Sequence, residues 1–199
     1  MKYLLFIPVL FLIQISFSKT KKGFDISNYS IPVSEISDGG PPKDGIPSID
    51  FPKFVKAENA SLNKNERVLA IFENGVAKAY PIKILNFHEI VNDEVAGKPI
   101  VVTYCPLCGS GIVFDANING STYTFGVSGL LYNSDVLLYD RQTESLWSQL
   151  EYKAVSGPVK GKELEIINTL NTTWENWKNK HPNTLVLSED TGFKRNYAV

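Results

Sequence analysis

Asn-Gly turns between short apolar runs are the feature that most restricts the fold of this chain. Asn74-Gly75 separates an apolar run over 68–72 from another over 76–80, and Asn119-Gly120 precedes a third over 121–127. Asn and Gly both tolerate a positive φ angle, so this dipeptide favours two-residue β-hairpins. Further strand-like runs cover 100–104, 111–115, 136–139, 145–150 and 185–187. We therefore predict a mainly β protein of the α+β class with antiparallel strands.

Few helices are expected beside these strands. Trp174 to Lys180 is predicted to be helical, because Thr172 or Thr173 can cap its start and His181-Pro182 can end it. Thr172 and Glu175 also have the spacing of a capping box. A second, shorter helix is predicted from Pro81 to about His88.

Proline is concentrated in residues 19–60, ahead of the strand-rich region. Five of the 11 prolines fall within 21 residues there, and Gly39-Gly40 and Gly45 lie among them. Such a segment is forced into extended and turn conformations. Because apolar residues such as Ile49 and Phe51 alternate with the prolines, we expect an arm that packs along a single core domain over 61–199.

Composition restricts the partners of the protein. The chain has 199 residues, of which 43% are hydrophobic, and a net charge of −1. These values suit one globular domain rather than a disordered chain. No block of basic residues is present, so neither nucleic acid nor an anionic membrane surface is an expected partner.

The first 18 residues are predicted to be a cleaved secretory signal. Lys2 precedes an apolar run from Tyr3 to Ile15, and Ser16-Phe17-Ser18 offers a small-x-small cleavage site. The apolar run is short for a membrane span of about 20 residues. We therefore expect an exported protein, periplasmic or extracellular, with no membrane segment after cleavage.

The only two cysteines, Cys105 and Cys108, form a C-P-L-C-G motif with three interpretations. A structural disulfide across so short a loop would restrict the unfolded chain little, by roughly 2 kcal/mol. A thioredoxin-like redox pair should open a helix, whereas here Gly109-Ser110-Gly111 leads into another apolar run. Redox chemistry on another scaffold stays open.

The third interpretation is a metal site, because C-P-x-C-G is similar to the turn that binds metal in rubredoxins and zinc ribbons. Those sites use four thiolates, and this chain has two, so a closed four-cysteine site is excluded. Any metal needs further ligands from His, Asp, Glu or solvent. Sulfur with imidazole favours zinc or copper.

His88 is the predicted further ligand or proton carrier, and Glu89 beside it is a predicted orienting residue. The chain has one other histidine, His181, which we interpret as a favourable charge at the end of the second helix. The zinc-protease motif H-E-x-x-H is not completed, because position 92 is Asn.

A polar region over 128–149 supports an alternative from another functional class. In this hypothesis the protein is a binding module for a small polar ligand or glycan, and the cysteines form a plain disulfide. Its pocket candidates are Ser128, Tyr132, Asp140, Arg141 and Trp147. In either hypothesis the partner is an unknown small molecule or redox partner, and whether the protein is an enzyme is left open.

Several sequence blocks resemble a bacterial exported family catalogued only as a domain of unknown function. They include His88 to Asp93, Thr103 to Gly109 and Tyr139 to Gln149, in this order within a match from about Ile36 to Tyr197. The resemblance implies export and implies that the family shares His88, both cysteines and the 140–149 block. It implies no activity. Our leading hypothesis is therefore an exported protein with a metal or thiol redox centre at Cys105 and Cys108.

Overall fold

Short strands make up most of the computed structural model, which describes residues 20–197. The strands are β1 Thr20–Lys21, β2 Phe24–Asp25, β3 Ile36–Asp38, β4 Phe54–Lys56, β5 Arg67–Glu73, β6 Val76–Pro81, β7 Ile90–Val95, β8 Lys98–Cys105, β9 Ser110–Asp115, β10 Asn117–Ile118, β11 Ser121–Thr122, β12 Phe125–Tyr132, β13 Asp135–Asp140, β14 Leu146–Ser148, β15 Lys153–Ala154, β16 Ile166–Ile167, β17 Thr169–Thr173 and β18 Leu185–Leu187. The α-helices are α1 Ile82–His88 and α2 Trp174–Lys180. Short 3₁₀ turns cover Val33–Glu35 and Ala57–Asn59. Within this range, no helix has the length and apolar character needed to cross a membrane.

Three sheets organise these strands. Their strand orders are β15-β14-β13-β12-β3, β16-β9-β8-β7 and β17-β5-β6-β18-β4, and two further pairs, β1-β2 and β10-β11, stand apart. Neighbouring strands are antiparallel except β6 and β18, which are parallel. The predicted fold class, a mainly β single domain with few helices, is confirmed.

Local signals account for the clearest elements. Asn74 and Gly75 have φ angles of 44° and 83°, and they join β5 to β6 as a two-residue turn. Helix α2 covers the predicted residues and is capped by Thr173, whose hydroxyl accepts a hydrogen bond from the Asn176 N–H at 3.4 Å. The capping-box spacing that starts at Thr172 is therefore shifted by one residue from the cap.

The proline-rich segment is hydrogen-bonded to the strands. Strand β3 pairs with β12, and the Ile49 N–H donates to the Ile90 carbonyl at 2.9 Å. The Lys22 ammonium group donates to the carbonyls of Pro41 at 2.5 Å and Gly129 at 3.0 Å, and it pairs with Asp38 at 2.5 Å. These bonds place the segment against β12, at one wall of the candidate site.

Strand β8 lies between two parts of the core. Side chains alternate along a strand, so Ile100, Val102 and Tyr104 pack in the cluster around α1, β5 and β6. Val101 and Cys105 face the other cluster, which includes side chains of β12, β13 and β14. The end of β8 is thus held on both faces, which fixes the position of Cys105.

Candidate functional site

The two cysteines lie at a β-hairpin, and we call its turn, residues 105–109, the cysteine knuckle. Cys105 ends β8 and is 1% exposed, whereas Cys108 in the turn is exposed. Gly109 has a φ angle of +69° and donates its N–H to the Cys105 carbonyl at 2.8 Å, which closes the turn. The chain then continues as strand β9. The knuckle is therefore a tight turn between two strands, closed by a glycine, and it lacks the helix of a thioredoxin site.

Asp135 approaches the knuckle from the neighbouring β12–β13 hairpin. Its side chain is buried, with the residue 3% exposed, and its Oδ1 atom lies 3.0 Å from the Cys108 Sγ atom and 3.1 Å from the Ser110 hydroxyl. The Asp135 Oδ2 atom has no hydrogen-bond partner among the described residues. The two sulfurs and a carboxylate oxygen of Asp135 all lie within 4.8 Å of one another. This Cys-Cys-Asp group could hold a metal ion.

A chain of polar side chains extends from the group into the core, from half-buried Ser110 to the fully buried Gln149 and Thr103. The Ser110 hydroxyl lies 2.6 Å from the Gln149 Oε1 atom, and the Gln149 amide donates to the Thr103 hydroxyl at 2.8 Å. Thr103 in turn donates to the Ile112 carbonyl at 2.8 Å. Because one hydroxyl has one proton, Ser110 cannot donate to Gln149 and Asp135 at once. The carboxylate is therefore incompletely satisfied by the protein.

Burial controls the electrostatics of the site. It raises the pKa of the Cys105 thiol to about 12, so without a cation this thiol is protonated at neutral pH. Burial, and then the nearby charge of Asp135, raise the pKa of Glu89 to about 7. Glu89 follows α1 with a φ angle of +57°, which is unusual for a residue other than Gly. Strained backbone and raised carboxyl pKa values are features that often occur together at functional sites.

The donor set of the group restricts its chemistry. Zinc accepts thiolate sulfur at roughly 2.3 Å and carboxylate oxygen at roughly 2.0–2.2 Å, usually with four ligands in total. The three ligand atoms, which lie within 4.8 Å of one another, are close enough to be ligands of one such ion. Three protein ligands leave a fourth position for solvent or another molecule. That arrangement is typical of reactive rather than purely structural zinc.

His88 is not part of this group, and both of its ring nitrogens have partners elsewhere. Its Nδ1 atom is 2.7 Å from the Pro47 carbonyl and its Nε2 atom is 2.6 Å from the Tyr197 hydroxyl, and the residue is fully buried. Burial lowers the pKa of this imidazole. The group with metal-ligand geometry contains Asp135 rather than His88. His181 follows α2, and its ring contacts Trp177 with centroids 4.1 Å apart.

Two of the predicted pocket residues lie on β12. The Ser128 hydroxyl is fully buried, where it donates to the Leu137 carbonyl and accepts from the Leu130 N–H at 3.0 Å. Tyr132 is half-buried at the end of the strand, where it packs against an apolar cluster. The hydrogen-bonding capacity of Ser128 is thus used within the sheet, at an irregularity between Val127 and Leu130.

The other three predicted pocket residues take part in interactions around β13. Asp140 is fully buried and accepts hydrogen bonds from the Thr143 N–H at 2.6 Å and the Trp147 indole at 2.8 Å. Arg141 pairs with Asp50 at 3.0 Å, which ties β13 to the proline-rich segment. Asp140 and Trp147 are thus hydrogen-bonded to each other, whereas Arg141 pairs with Asp50 instead.

Sequence reasoning did not select Asp135, Ser110, Gln149 or Thr103 as site residues. Asp135 lies within the polar run 128–135, but it is 27 residues beyond Cys108, and only the contact between two hairpins of different sheets brings them together. The sequence contained a weak indication of two of these residues. Ser110 follows the knuckle directly, and Gln149 belongs to the 140–149 block of the family resemblance.

The fold and the site define a β-rich single domain that carries two cysteines and one buried carboxylate beside a hairpin turn. The chain belongs to the DUF3179 family, described as a protein of unknown function, whose model matches residues 43–199. The predicted resemblance to a family of this kind is confirmed. No curated protein and no solved structure matches the chain.

Proposed function

We propose that this protein is an exported metal-binding protein in which Cys105, Cys108 and Asp135 hold one zinc ion. The observation that carries the proposal is the Asp135 carboxylate, which is buried beside two sulfurs with its Oδ2 atom unpartnered. An unpaired carboxylate inside a protein is costly, and a bound cation removes that cost. Metal ligation also deprotonates both thiols. The buried Cys105 thiol requires such a cation before it can become a thiolate.

Zinc is preferred to copper because of the carboxylate. Copper in its reduced form favours sulfur ligands alone, whereas zinc accepts sulfur and oxygen together. The fourth position would be filled by water or by an incoming molecule. A zinc ion bound there would supply Lewis-acid chemistry, and the Ser110–Gln149–Thr103 chain would hold Asp135 and the knuckle in place.

Cobalt titration of the mature protein tests this proposal. With the thiols reduced, Co²⁺ should bind at one equivalent and give thiolate-to-cobalt absorption, which zinc should then abolish. Asp135→Asn should weaken binding by about tenfold or more, since it keeps the shape of the side chain and removes the charge. Cys108→Ser should reduce the charge-transfer absorption by about half.

Two controls make the titration specific. Asp190→Asn removes an exposed surface carboxylate and should leave cobalt binding unchanged. His88→Gln distinguishes the Cys-Cys-Asp group from the ligand set predicted from sequence, and it should also bind cobalt normally. Absence of cobalt absorption in the reduced protein would refute the metal centre. Two sulfurs that form a reversible disulfide would then favour a thiol redox protein.

Export is the second part of the proposal. It is supported by the apolar run over 3–15 and the Ser16-Phe17-Ser18 segment, which lie outside the described residues. Mass spectrometry of the protein from a cell fraction outside the cytoplasm should find a chain that begins at Lys19. A full-length chain retained in the cytoplasm would refute this part and leave the metal proposal standing.

A further inference from the structure

A cavity of about 280 Å³ adjoins the cysteine knuckle. Pro106 and Leu107, the two residues between the cysteines, form part of its wall. Strand β12 supplies an apolar wall that includes Leu130 and Leu131, and Pro41 of the proline-rich segment also lines the cavity. Its volume is close to the lower end of small-molecule sites, which begin at roughly 300 Å³. The cavity is therefore large enough for a small ligand.

The lining of this cavity is mostly apolar, and its one ionisable side chain is the carboxyl group of Glu89. Glu89 and the exposed Asn86 are its only polar side chains, and no basic side chain lines it within the described range. No described residue donates a hydrogen bond to the Glu89 carboxyl group. The charge of Asp135 is close enough to disfavour its ionisation.

Among the described residues, the one basic side chain that contacts two residues of the wall, Lys22, does not line the cavity and already has partners. Lys22 contacts the carbonyls of Pro41 and Gly129, and its ammonium group is paired with Asp38 at 2.5 Å. It therefore does not supply a counter-ion for Glu89. A ligand that brings its own positive charge would satisfy the Glu89 carboxylate and screen it from Asp135.

We infer that the cavity binds a small organic amine, with its apolar body against β12 and the knuckle and its ammonium group on Glu89. Apolar walls with one well-placed polar group are the usual composition of such sites. The charge-assisted bond between an ammonium group and a carboxylate would fix the orientation of the ligand. The inference goes beyond the metal proposal, because it requires the cavity and Glu89 and no metal.

Calorimetric titration of the metal-free mature protein with straight-chain alkyl amines tests the inference. The probes are propylamine, pentylamine and heptylamine at pH 8, where an alkylammonium with a pKa of roughly 10 is charged. Pentanol and pentanoate are matched in length but carry no positive charge. Pentylamine should bind tighter than pentanol, and pentanoate should not bind. Affinity should rise with chain length and then fall as the chain exceeds the cavity.

Three variants connect binding to the cavity. Glu89→Gln keeps the size of the side chain and should weaken pentylamine binding by about tenfold. Leu131→Trp fills the cavity from a half-buried wall position and should abolish binding of every probe. Glu58→Gln removes an exposed carboxylate elsewhere and should change nothing. Circular dichroism confirms that each variant is folded.

Three results would overturn the inference. They are no heat with any amine, pentanol binding as tight as pentylamine, and pentylamine binding that Glu89→Gln leaves unchanged. Because the amine titration uses metal-free protein, its failure would leave the result of the cobalt titration unaffected. Conversely, a failed cobalt titration would leave the amine result intact.

Discussion

Asp135 turns a pair of thiols into a group with three ligands. It is nearly fully buried, it lies 3.0 Å from the Cys108 Sγ atom, and one of its oxygens lacks a partner. The sequence allowed both cysteines to be predicted as site residues, because the C-P-L-C-G spacing has its own turn chemistry. Asp135 could not be predicted in the same way, because its role depends on a contact between two hairpins.

Glu89→Gln should stabilise the metal-free protein at high pH. The folded protein raises the pKa of Glu89 from 4.5 to about 7, so its contribution to stability is fully present below pH 4.5 and is lost as the pH rises through 7. Glutamine cannot ionise. The difference in unfolding free energy between the variant and the wild type should therefore grow from pH 5 to pH 8, by at most about 3 kcal/mol. Urea denaturation in chelator measures it, and a pH-independent difference would contradict the assignment.

His88→Gln should change the pH dependence of stability in the opposite sense. Burial lowers the pKa of His88 in the folded state, so its neutral form contributes stability that is full above the unfolded value of roughly 6.5. That contribution is lost as the pH falls below this value, because the unfolded chain takes up the proton more readily. The wild type should thus lose more stability than His88→Gln between pH 7.5 and pH 5.5. If urea denaturation showed equal losses of unfolding free energy in the wild type and in His88→Gln, the pKa of His88 would not be lowered by folding.

At the scale of elements, Gly129 fixes the contact between β12 and the proline-rich segment. It has a φ angle of +74°, and a Cβ atom at this position would lie 2.1 Å from the Pro41 carbonyl oxygen. Gly129→Ala should therefore destabilise the protein by about 3 kcal/mol or more and weaken amine binding, because Pro41 lines the cavity. Thermal and urea unfolding measure the first effect.

Gly120→Ala is the matched control for that substitution. Gly120 also has a positive φ angle, +83°, but open space surrounds its missing Cβ atom. It should cost only about 1–2 kcal/mol, the backbone cost alone. Equal destabilisation by the two substitutions would show that the contact between Gly129 and Pro41 contributes nothing.

Elements with strong local signals were predictable, and elements that depend on buried polar contacts were not. The hairpin at Asn74-Gly75 and helix α2 follow directly from turn and capping chemistry. Strand β7 was not predicted, because Asn92 and Asp93 interrupt its apolar pattern. The structure buries Asn92 against the backbone of Phe125, with hydrogen bonds of 2.8 and 2.9 Å, and pairs Asp93 with Lys78 at 2.8 Å. Their polar groups are satisfied by residues that are distant in sequence.

At the scale of the whole molecule, the fold class followed from sequence but the arrangement of sheets did not. The parallel pairing of β6 with β18 joins residues more than 100 positions apart, and β3 completes a sheet whose other strands come much later. No local pattern encodes such contacts. The Cys-Cys-Asp group likewise joins hairpins of two different sheets, and the cavity beside the knuckle joins β12 to the proline-rich segment.

Metal content is the most direct test of the central claim that Cys105, Cys108 and Asp135 form a metal centre. The protein would be purified without chelator, and zinc, copper and free thiols would be counted together in the wild type and in Asp135→Asn. We predict about one equivalent of zinc in the wild type, and much less in the variant. A wild type without metal and with both cysteines oxidised would contradict the account and identify the pair as a disulfide.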